Sequence, residues 1–271
     1  MAAKAIRRKQ RMTPAKLLKE IIMHSLIYAE LLLVAVVVIL PIVWIVGASF
    51  NDTPSLLRAT AIPEHPSLIY YKRLFQETEF FKWYLNTVKI AFFNMLLSLV
   101  LTTMTAYVFS RFDFKGKKAG LMTILVLQIF PSFMGMIALY ILFWQIGLLD
   151  THLGLILVYS AGQIPYNTWL VKGYLATIPR SLDESARIDG ASKMKVFTTI
   201  ILPLMQPILT FVALTQFMAP WMDFIFPRLM ITTTSKKTLA VGLFELIAGD
   251  TNNHFTMFAA GAVLVAVPIT L

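Results

Sequence analysis

The chain has 271 residues, of which 58% are hydrophobic and 14% are charged, and its net charge is +10. Soluble domains contain about 25% charged residues, so the composition excludes an ordinary soluble protein and indicates a membrane protein. Cysteine is absent, which excludes disulfide bonds, a thiol nucleophile and a cysteine-ligated metal.

The N-terminal part predicts a basic cytoplasmic segment, residues 1–24, followed by a first membrane span. Residues 31–50 contain no charged side chain across twenty positions, which is long enough to cross a bilayer and too long for a cleavable signal. We expect this helix to begin near Ser25. It is followed up to residue 82 by a polar external loop with a short amphipathic helix over residues 70–81, so that residues 25–82 form one unit.

Five further apolar segments predict spans over residues 83–110, 121–144, 153–170, 196–221 and 255–271. The fourth span of the chain, residues 153–170, is interrupted by several polar residues. Because exposed polar groups are not tolerated in lipid, we expect the fourth span to lie inside the helix bundle. The chain is still apolar at Leu271, so we expect a natural protein to continue beyond it with a cytoplasmic tail.

The distribution of basic residues predicts the orientation of these spans. Placing residues 1–24, 111–118 and 172–195 in the cytoplasm puts two thirds of the 24 Lys and Arg residues there, as the positive-inside rule requires. The sequence therefore predicts an all-α polytopic membrane protein with six transmembrane helices and both termini in the cytoplasm. The excess positive charge thus sets topology and does not indicate a nucleic-acid partner.

The segment 181–203, SLDESARIDGASKMKVFTTIILP, is charged and helix-prone and separates two apolar spans. Ser181 followed by Glu184 predicts a capping box at the start of a helix. Gly190 is the expected end of that helix, and Ser192 is the expected cap of the next one. We expect the small apolar side of the first helix to consist of Leu182, Ala186 and Ile188.

Six residues of this segment match, in identity and spacing, the EAA loop of the membrane-spanning subunits of type I ABC importers: Glu184, Ala186, Gly190, Ile200, Leu202 and Pro203. Ser185 replaces the middle alanine of the family pattern, and because serine is small we expect little loss of fit. Pro203 and Pro207 also predict a kink in the membrane helix that follows. The chain thus resembles this family and is expected to have its fold.

The resemblance implies that segment 181–203 is a coupling loop that docks into a cleft of a cytoplasmic ATPase subunit. The residues that it assigns to docking and coupling are Glu184, Ser185, Ala186, Asp189, Gly190, Ile200, Leu202 and Pro203. From the residues alone, a capping box and a terminal glycine fit a purely structural helix–turn–helix equally well. For Asp189 a solvated charged surface is the favoured alternative.

The resemblance covers residues 83–271, which it identifies as the core permease domain. Residues 106–118 and 139–157 are similar to the carbohydrate importers, especially the smaller permease of maltose and maltodextrin systems. This implies import of a sugar, maltodextrin or another oligosaccharide, across a bacterial cell membrane. The implied partners are a second permease subunit, two ATPase subunits that bind ATP and Mg²⁺, membrane lipid, and a periplasmic or extracellular sugar-binding protein. The external segment 223–253 is expected to reach into that binding protein.

Several polar residues of the predicted spans are candidates for a substrate path: Gln128, Gln163, Tyr166, Asn167 and Gln206. In the maltose importers the other permease chain holds most of the sugar. Hydrogen bonds between helices are therefore the favoured interpretation of these side chains, and direct sugar contact is the alternative.

The sequence contains no phosphate-binding Gly-x-x-x-x-Gly-Lys-Ser/Thr motif, no His cluster with metal-ligand spacing and no nucleophile motif. We therefore expect no catalysis and no cofactor in this chain, with ATP hydrolysis on a partner. An ion-coupled secondary transporter is the alternative, but it needs carboxylates at the membrane centre and usually an internal repeat. Glu30 and Lys89, the charges that touch spans, lie near span ends.

Overall fold

The computed structural model describes residues 14–54, 59–129, 132–248 and 254–270. These residues form helices and connecting turns, with short π-helical and 3₁₀ segments at Phe197–Ile201 and Thr234–Lys236. The α-helices, in chain order, are α1 (Pro14–Ser49), α2 (Ile69–Glu77), α3 (Phe80–Arg111), α4 (Lys117–Ile129), α5 (Ser132–Gln145), α6 (His152–Leu175), α7 (Ser181–Ile188), α8 (Lys193–Val196), α9 (Leu202–Leu204), α10 (Gln206–Met222), α11 (Ile225–Met230), α12 (Leu239–Glu245) and α13 (Phe255–Thr270).

The expected all-helical fold is confirmed, with helices over the described part of each predicted span. Within the described residues, two helices are long and apolar enough to cross a membrane, Leu18–Ser49 and Phe80–Arg111, and up to four spans result if each bent helix pair counts as one. The number of six spans and the position of the termini therefore stay predictions. The short external helix expected over residues 70–81 is α2, which ends at Glu77.

Helix α3 lies at the centre of the fold and packs against α6, α10 and α12. Towards one end, Trp83 and Ala91 join a buried cluster with residues of α10, α12 and α13, and towards the other end Ala106 and Tyr107 join a second cluster with residues of α6 and α10. The expectation that the fourth span lies in the bundle is confirmed, because α6 makes its most extensive packing with α3. Helix α1 lies at the edge and contacts α13 through the Trp44 and Phe255 rings, whose centroids are 5.4 Å apart.

A buried polar contact joins α3 to α10. The Asn94 side-chain amide donates to the Gln216 carbonyl (2.7 Å), and the Ser98 hydroxyl lies 3.2 Å from Asn94 Oδ1 and 3.3 Å from Gln216 Oε1. All three side chains are 3% exposed or less. Because a bilayer offers no water to these groups, the contact fixes the lateral and rotational position of α10 on α3.

The expected kink in the fifth span is confirmed, and the helix is broken rather than bent smoothly. The π-helical segment Phe197–Ile201 leads into α9, and α10 starts again after Met205 at an angle of 76°. Pro203 and Pro207 lack the N–H that a continuous helix would need, and both lie within the first two positions of their helices, where that loss has no cost.

Replacement of Asn94 by leucine should destabilise the packing of α10 on α3 by about 1 kcal/mol, the size typical of hydrogen bonds between membrane helices. The leucine leaves the Gln216 carbonyl without its buried donor. Thermal unfolding of the purified complex in mild detergent measures the change. Ser98→Ala, which removes only the two longer contacts, should have a smaller effect, and an Asn94→Leu protein as stable as the wild type would contradict this account.

Candidate coupling site

The segment between the fourth and fifth spans folds as two short helices at a sharp turn. Gly190, at the turn, has a φ of +84°, which is the left-handed region that glycine occupies without strain. The Ala191 N–H donates to the Ala186 carbonyl (2.9 Å), and the Ser192 hydroxyl accepts from the Lys195 N–H (3.3 Å). The expected roles of Gly190 as terminator and Ser192 as cap are confirmed.

The expected capping box at Ser181 is wrong. Arg180 stands at the cap position of α7 with helical backbone angles, and Ser181 is the first helical residue with no capping bond. The Glu184 N–H already donates to the Arg180 carbonyl (3.1 Å), and the Leu182 N–H to the Pro179 carbonyl (3.3 Å). Because the turn before α7 supplies these acceptors, the serine hydroxyl is not needed, and Glu184 is left exposed.

The apolar side expected for α7 is also wrong in part. Ala186 is half-buried against the cluster that contains Val196 and Ile201, whereas Ile188 is 86% exposed and Leu182 is 40% exposed. Asp183, three residues before Ala186, lies on the same inward side, as helical spacing requires. The exposed side chains of residues 181–189, which we call the outer face of α7, are Ser181, Leu182, Glu184, Ser185, Arg187, Ile188 and Asp189.

The inward side of α7 is held to the end of α3 by charged groups that the sequence analysis did not single out. Arg111 Nε lies 3.1 Å from Asp183 Oδ2, and these side chains are only 7% and 15% exposed. Arg111 also donates to the Ile178 carbonyl (2.9 Å), and Arg180 donates to the Ser110 carbonyl (2.9 Å). The basic turn after the second span was the one available signal, but the sequence does not pair Arg111 with Asp183.

The remaining residues assigned to coupling lie where the loop meets the bundle. Ile200 is half-buried and packs against the same cluster as Ala186, and Leu202 is also half-buried. Pro203 is exposed on the short helix before the break. The residues that match the family pattern thus lie partly on an exposed helix and partly among the apolar residues that fix the start of the fifth span.

Three of the five polar candidates for a substrate path lie together. Gln128, Gln163 and Tyr166 line a cavity of about 1120 Å³ between α4, α5, α6 and the end of α10. The same cavity contains a pair that sequence reasoning missed, in which the Tyr159 hydroxyl donates to Asp223 (2.9 Å).

The other two candidates lie elsewhere. Asn167 is buried at 1% exposure on α6, and Gln206 is exposed at the start of α10. Neither lines the cavity. Hydrogen bonds between helices were the favoured interpretation of all five candidates. Among the described residues, the side chains of Gln128, Gln163 and Tyr166 form no such bonds and face the cavity instead.

Residues 98–271 match the family described as the binding-protein-dependent transport system inner membrane component. The chain belongs to this family. It is 44% identical over 247 residues to the galactooligosaccharides transport system permease protein GanQ of Bacillus subtilis (strain 168), covering 90% of this chain and 87% of the relative. It is 38% identical over 242 residues to the maltodextrin transport system permease protein MdxG of the same organism, covering 89% and 87%.

The fold of this permease is similar to a chain in the crystal structure of a bacterial ABC transporter involved in the import of the acidic polysaccharide alginate. The TM-score is 0.81 at 21% identity, over 96% of this permease and 95% of that chain. The expected type I ABC importer permease fold is confirmed by this likeness. The permease is a membrane-located transport component, as its family description states.

On the opposite end of the permease from α7, an aspartate anchors the segment after α11, which is expected to be external. The Asp150 carboxylate accepts from the Thr232 and Thr233 N–H groups (3.0 and 2.9 Å), from the Thr233 hydroxyl (2.7 Å) and from Lys236 Nζ (2.9 Å). Burial opposes ionisation, but these hydrogen bonds outweigh it and hold the pKa of Asp150 well below its usual range. The expected extension of segment 223–253 into a binding protein stays a prediction, because residues 249–253 lie outside the described residues.

Replacement of Asp150 by asparagine should release Lys236 and speed trypsin cleavage after it by roughly tenfold, since charged hydrogen bonds contribute about 1.5–3 kcal/mol. Quantitative mass spectrometry of the digest measures the rate. Glu77→Gln, which breaks only the exposed pair with Arg73, should leave that rate unchanged. Because the folded pKa of Asp150 is depressed, its stabilisation is complete above about pH 4 and is lost only as the pH falls below that value. A wild-type loop that loosens between pH 8 and pH 6 would contradict this assignment.

Proposed function

We propose that this permease is one of two membrane-spanning subunits of an ATP-driven importer that takes up an oligosaccharide delivered by a binding protein. It crosses the membrane six times with both termini in the cytoplasm, and two ATPase subunits bind ATP and Mg²⁺ and hydrolyse the nucleotide. Membership of a binding-protein-dependent family supports the binding-protein partner. The oligosaccharide substrate is supported by the relatives for galactooligosaccharides and maltodextrin.

The observation that carries this proposal is the outer face of α7. Ile188 is 86% exposed and Leu182 is 40% exposed, and both lie on the same short helix as the exposed Glu184. Exposed apolar side chains on a helix rimmed by charge indicate a protein partner. The lysines and arginines of the flanking turns support a cytoplasmic position for this face, where an ATPase subunit would be available.

In this mechanism closure of the ATPase subunits displaces α7, and the displacement is passed to the bundle through the inward side chains. Gly190 keeps the turn to α8 sharp, so that α7 projects as a separate element. Ala186 and Ile200 tie α7 to the beginning of the fifth span. The break after Met205 lets that beginning move relative to α10.

Replacement of Ile188 by aspartate should weaken binding of the ATPase subunit by roughly tenfold or more, because burial of an isoleucine side chain contributes about 1.5–3 kcal/mol. The affinity of the purified ATPase subunit for the permease pair in lipid nanodiscs measures this. Ile188→Leu keeps the apolar surface and should bind as the wild type does. Equal affinity of the aspartate and leucine variants would refute docking at this face.

The cavity of Gln128, Gln163 and Tyr166 is the proposed site where this permease contacts the sugar. Amide groups and a phenol satisfy sugar hydroxyls, and the apolar lining of α5 and α6 packs against sugar C–H faces. The Tyr159–Asp223 pair fixes the orientation of the cavity wall at the end of α10, because Asp223 also accepts from the Ile225 N–H (3.0 Å).

Gln163→Leu and Tyr166→Phe should each raise the KM for uptake by roughly tenfold, since each leaves sugar hydroxyls without a partner. Uptake of radiolabelled maltotriose and galactotriose into proteoliposomes with the complete complex measures this. Gln206→Leu, which lies outside the cavity, is the matched control and should leave KM unchanged. If both cavity variants keep the wild-type KM for each sugar, the cavity is not the sugar path. Uptake driven by an ion gradient without ATP would instead support a secondary transporter.

A further inference from the structure

Helix α3 is joined by side-chain contacts to segments at both ends of the bundle. Its 32 residues extend for about 48 Å at 1.5 Å per residue, which exceeds the thickness of the hydrocarbon core. Among the described helices of eighteen residues or more, α1 and α6 contain Pro and Gly, whereas α3 contains neither. A helix without such residues has no built-in kink site, so α3 is stiff along its length.

At its C-terminal end α3 holds α7. The nearly buried Arg111 is paired with Asp183, and Arg111 and Arg180 each donate to a carbonyl across the same junction. In a poorly hydrated site an ion pair resists separation, because each charge would be left without a partner. The end of α3 and α7 must therefore move together.

At its N-terminal end α3 holds the external segment. The Asn86 amide donates to the Ser235 and Lys237 carbonyls (2.9 and 3.0 Å), and the Leu239 N–H donates to the Thr87 hydroxyl (2.9 Å). At Gly242 an added Cβ would lie 2.2 Å from the Trp83 ring, so α12 is packed directly on α3. The backbone of residues 234–242 thus follows the position of this helix end.

The alternative route through the fifth span is interrupted. Between α7 and α10 the chain passes through a π-helical segment and a 76° break at Met205. A displacement of α7 can be absorbed there before it reaches α10, whereas the Arg111–Asp183 pair connects α7 to an unbroken helix.

We propose that α3 transmits movement between the ATPase-docking helix and the external segment 234–242. The positioning residues are Asp183, which joins α7 to the C-terminal end of α3, and Asn86, near the N-terminal end of α3. This inference rests on the proposed docking of α7 to an ATPase subunit. Nucleotide-driven movement of α7 then shifts the segment that faces the binding protein, and arrival of the binding protein shifts α7 in return, because coupling between two binding sites is reciprocal.

The absence of cysteine allows a direct test, since a single spin label can be placed at the exposed Ser235 by Ser235→Cys. The complete complex, with cysteine-free partner subunits, is reconstituted in nanodiscs and the label mobility is recorded with and without a non-hydrolysable ATP analogue. We expect a nucleotide-dependent change in the otherwise native complex. Asp183→Asn should reduce it on the order of tenfold, within the usual range of coupling between sites.

Asp113→Asn is the matched control, because it makes the same chemical change at an exposed carboxylate two residues beyond the end of α3 and outside the proposed docking face, and it should respond as the parent protein does. Asp183→Glu keeps the charge and should restore most of the response. The double variant Asn86→Leu and Asp183→Asn should lose no more of the nucleotide-dependent response than the more severe single variant does, because both residues act on one connection.

The outcomes separate this inference from the proposed function. If the ATPase subunit does not bind the parent complex, docking at α7 fails and the inference fails with it. If the subunit binds and Ile188→Asp weakens binding, but Asp183→Asn responds like Asp113→Asn, docking stands and transmission through α3 is overturned. Transmission through α3 would also be overturned if the loss of response in the double variant were the product of the losses in the two single variants.

Discussion

The packing of α3 against α6 and α10 is the constraint on which the rest of the permease depends. A bilayer supplies no hydrogen-bond partners, so the polar groups that α3 carries must be matched by its neighbours. The Asn94–Gln216 contact does this near the centre of the helix. Since α10 and α6 are positioned on α3, the cavity between α5, α6 and α10 has its shape from the same packing.

The two ends of α3 serve different chemistry. At the end next to α7, long basic side chains neutralise an acid and satisfy carbonyls of the connecting turn. At the other end, short amide and hydroxyl groups bind the backbone of the external segment, and Asp150 holds the same segment from the α5–α6 turn. The segments at both ends of α3 are thereby fixed to one helix, which suits the proposed importer with partners on both sides of the membrane.

The two faces of α7 differ in how they are covered by the rest of the permease. Asp183 and Ala186 face the bundle, while Ile188 faces outward without a cover among the described residues. An exposed apolar side chain of this kind suits the proposed docking of an ATPase subunit, which would remove it from water. The left-handed Gly190 separates this helix from the broken fifth span, so the two are adjacent but distinct elements.

The sequence by itself determined the membrane class, the helices, the turn at Gly190 and the family, because hydropathy and motif spacing are local properties of the chain. Only the tertiary structure decided that Asp183 meets Arg111, that Gln128, Gln163 and Tyr166 share a cavity, and that Asn94 meets Gln216. These contacts join residues far apart in the chain, and which of them form depends on how the helices pack, which local patterns do not encode.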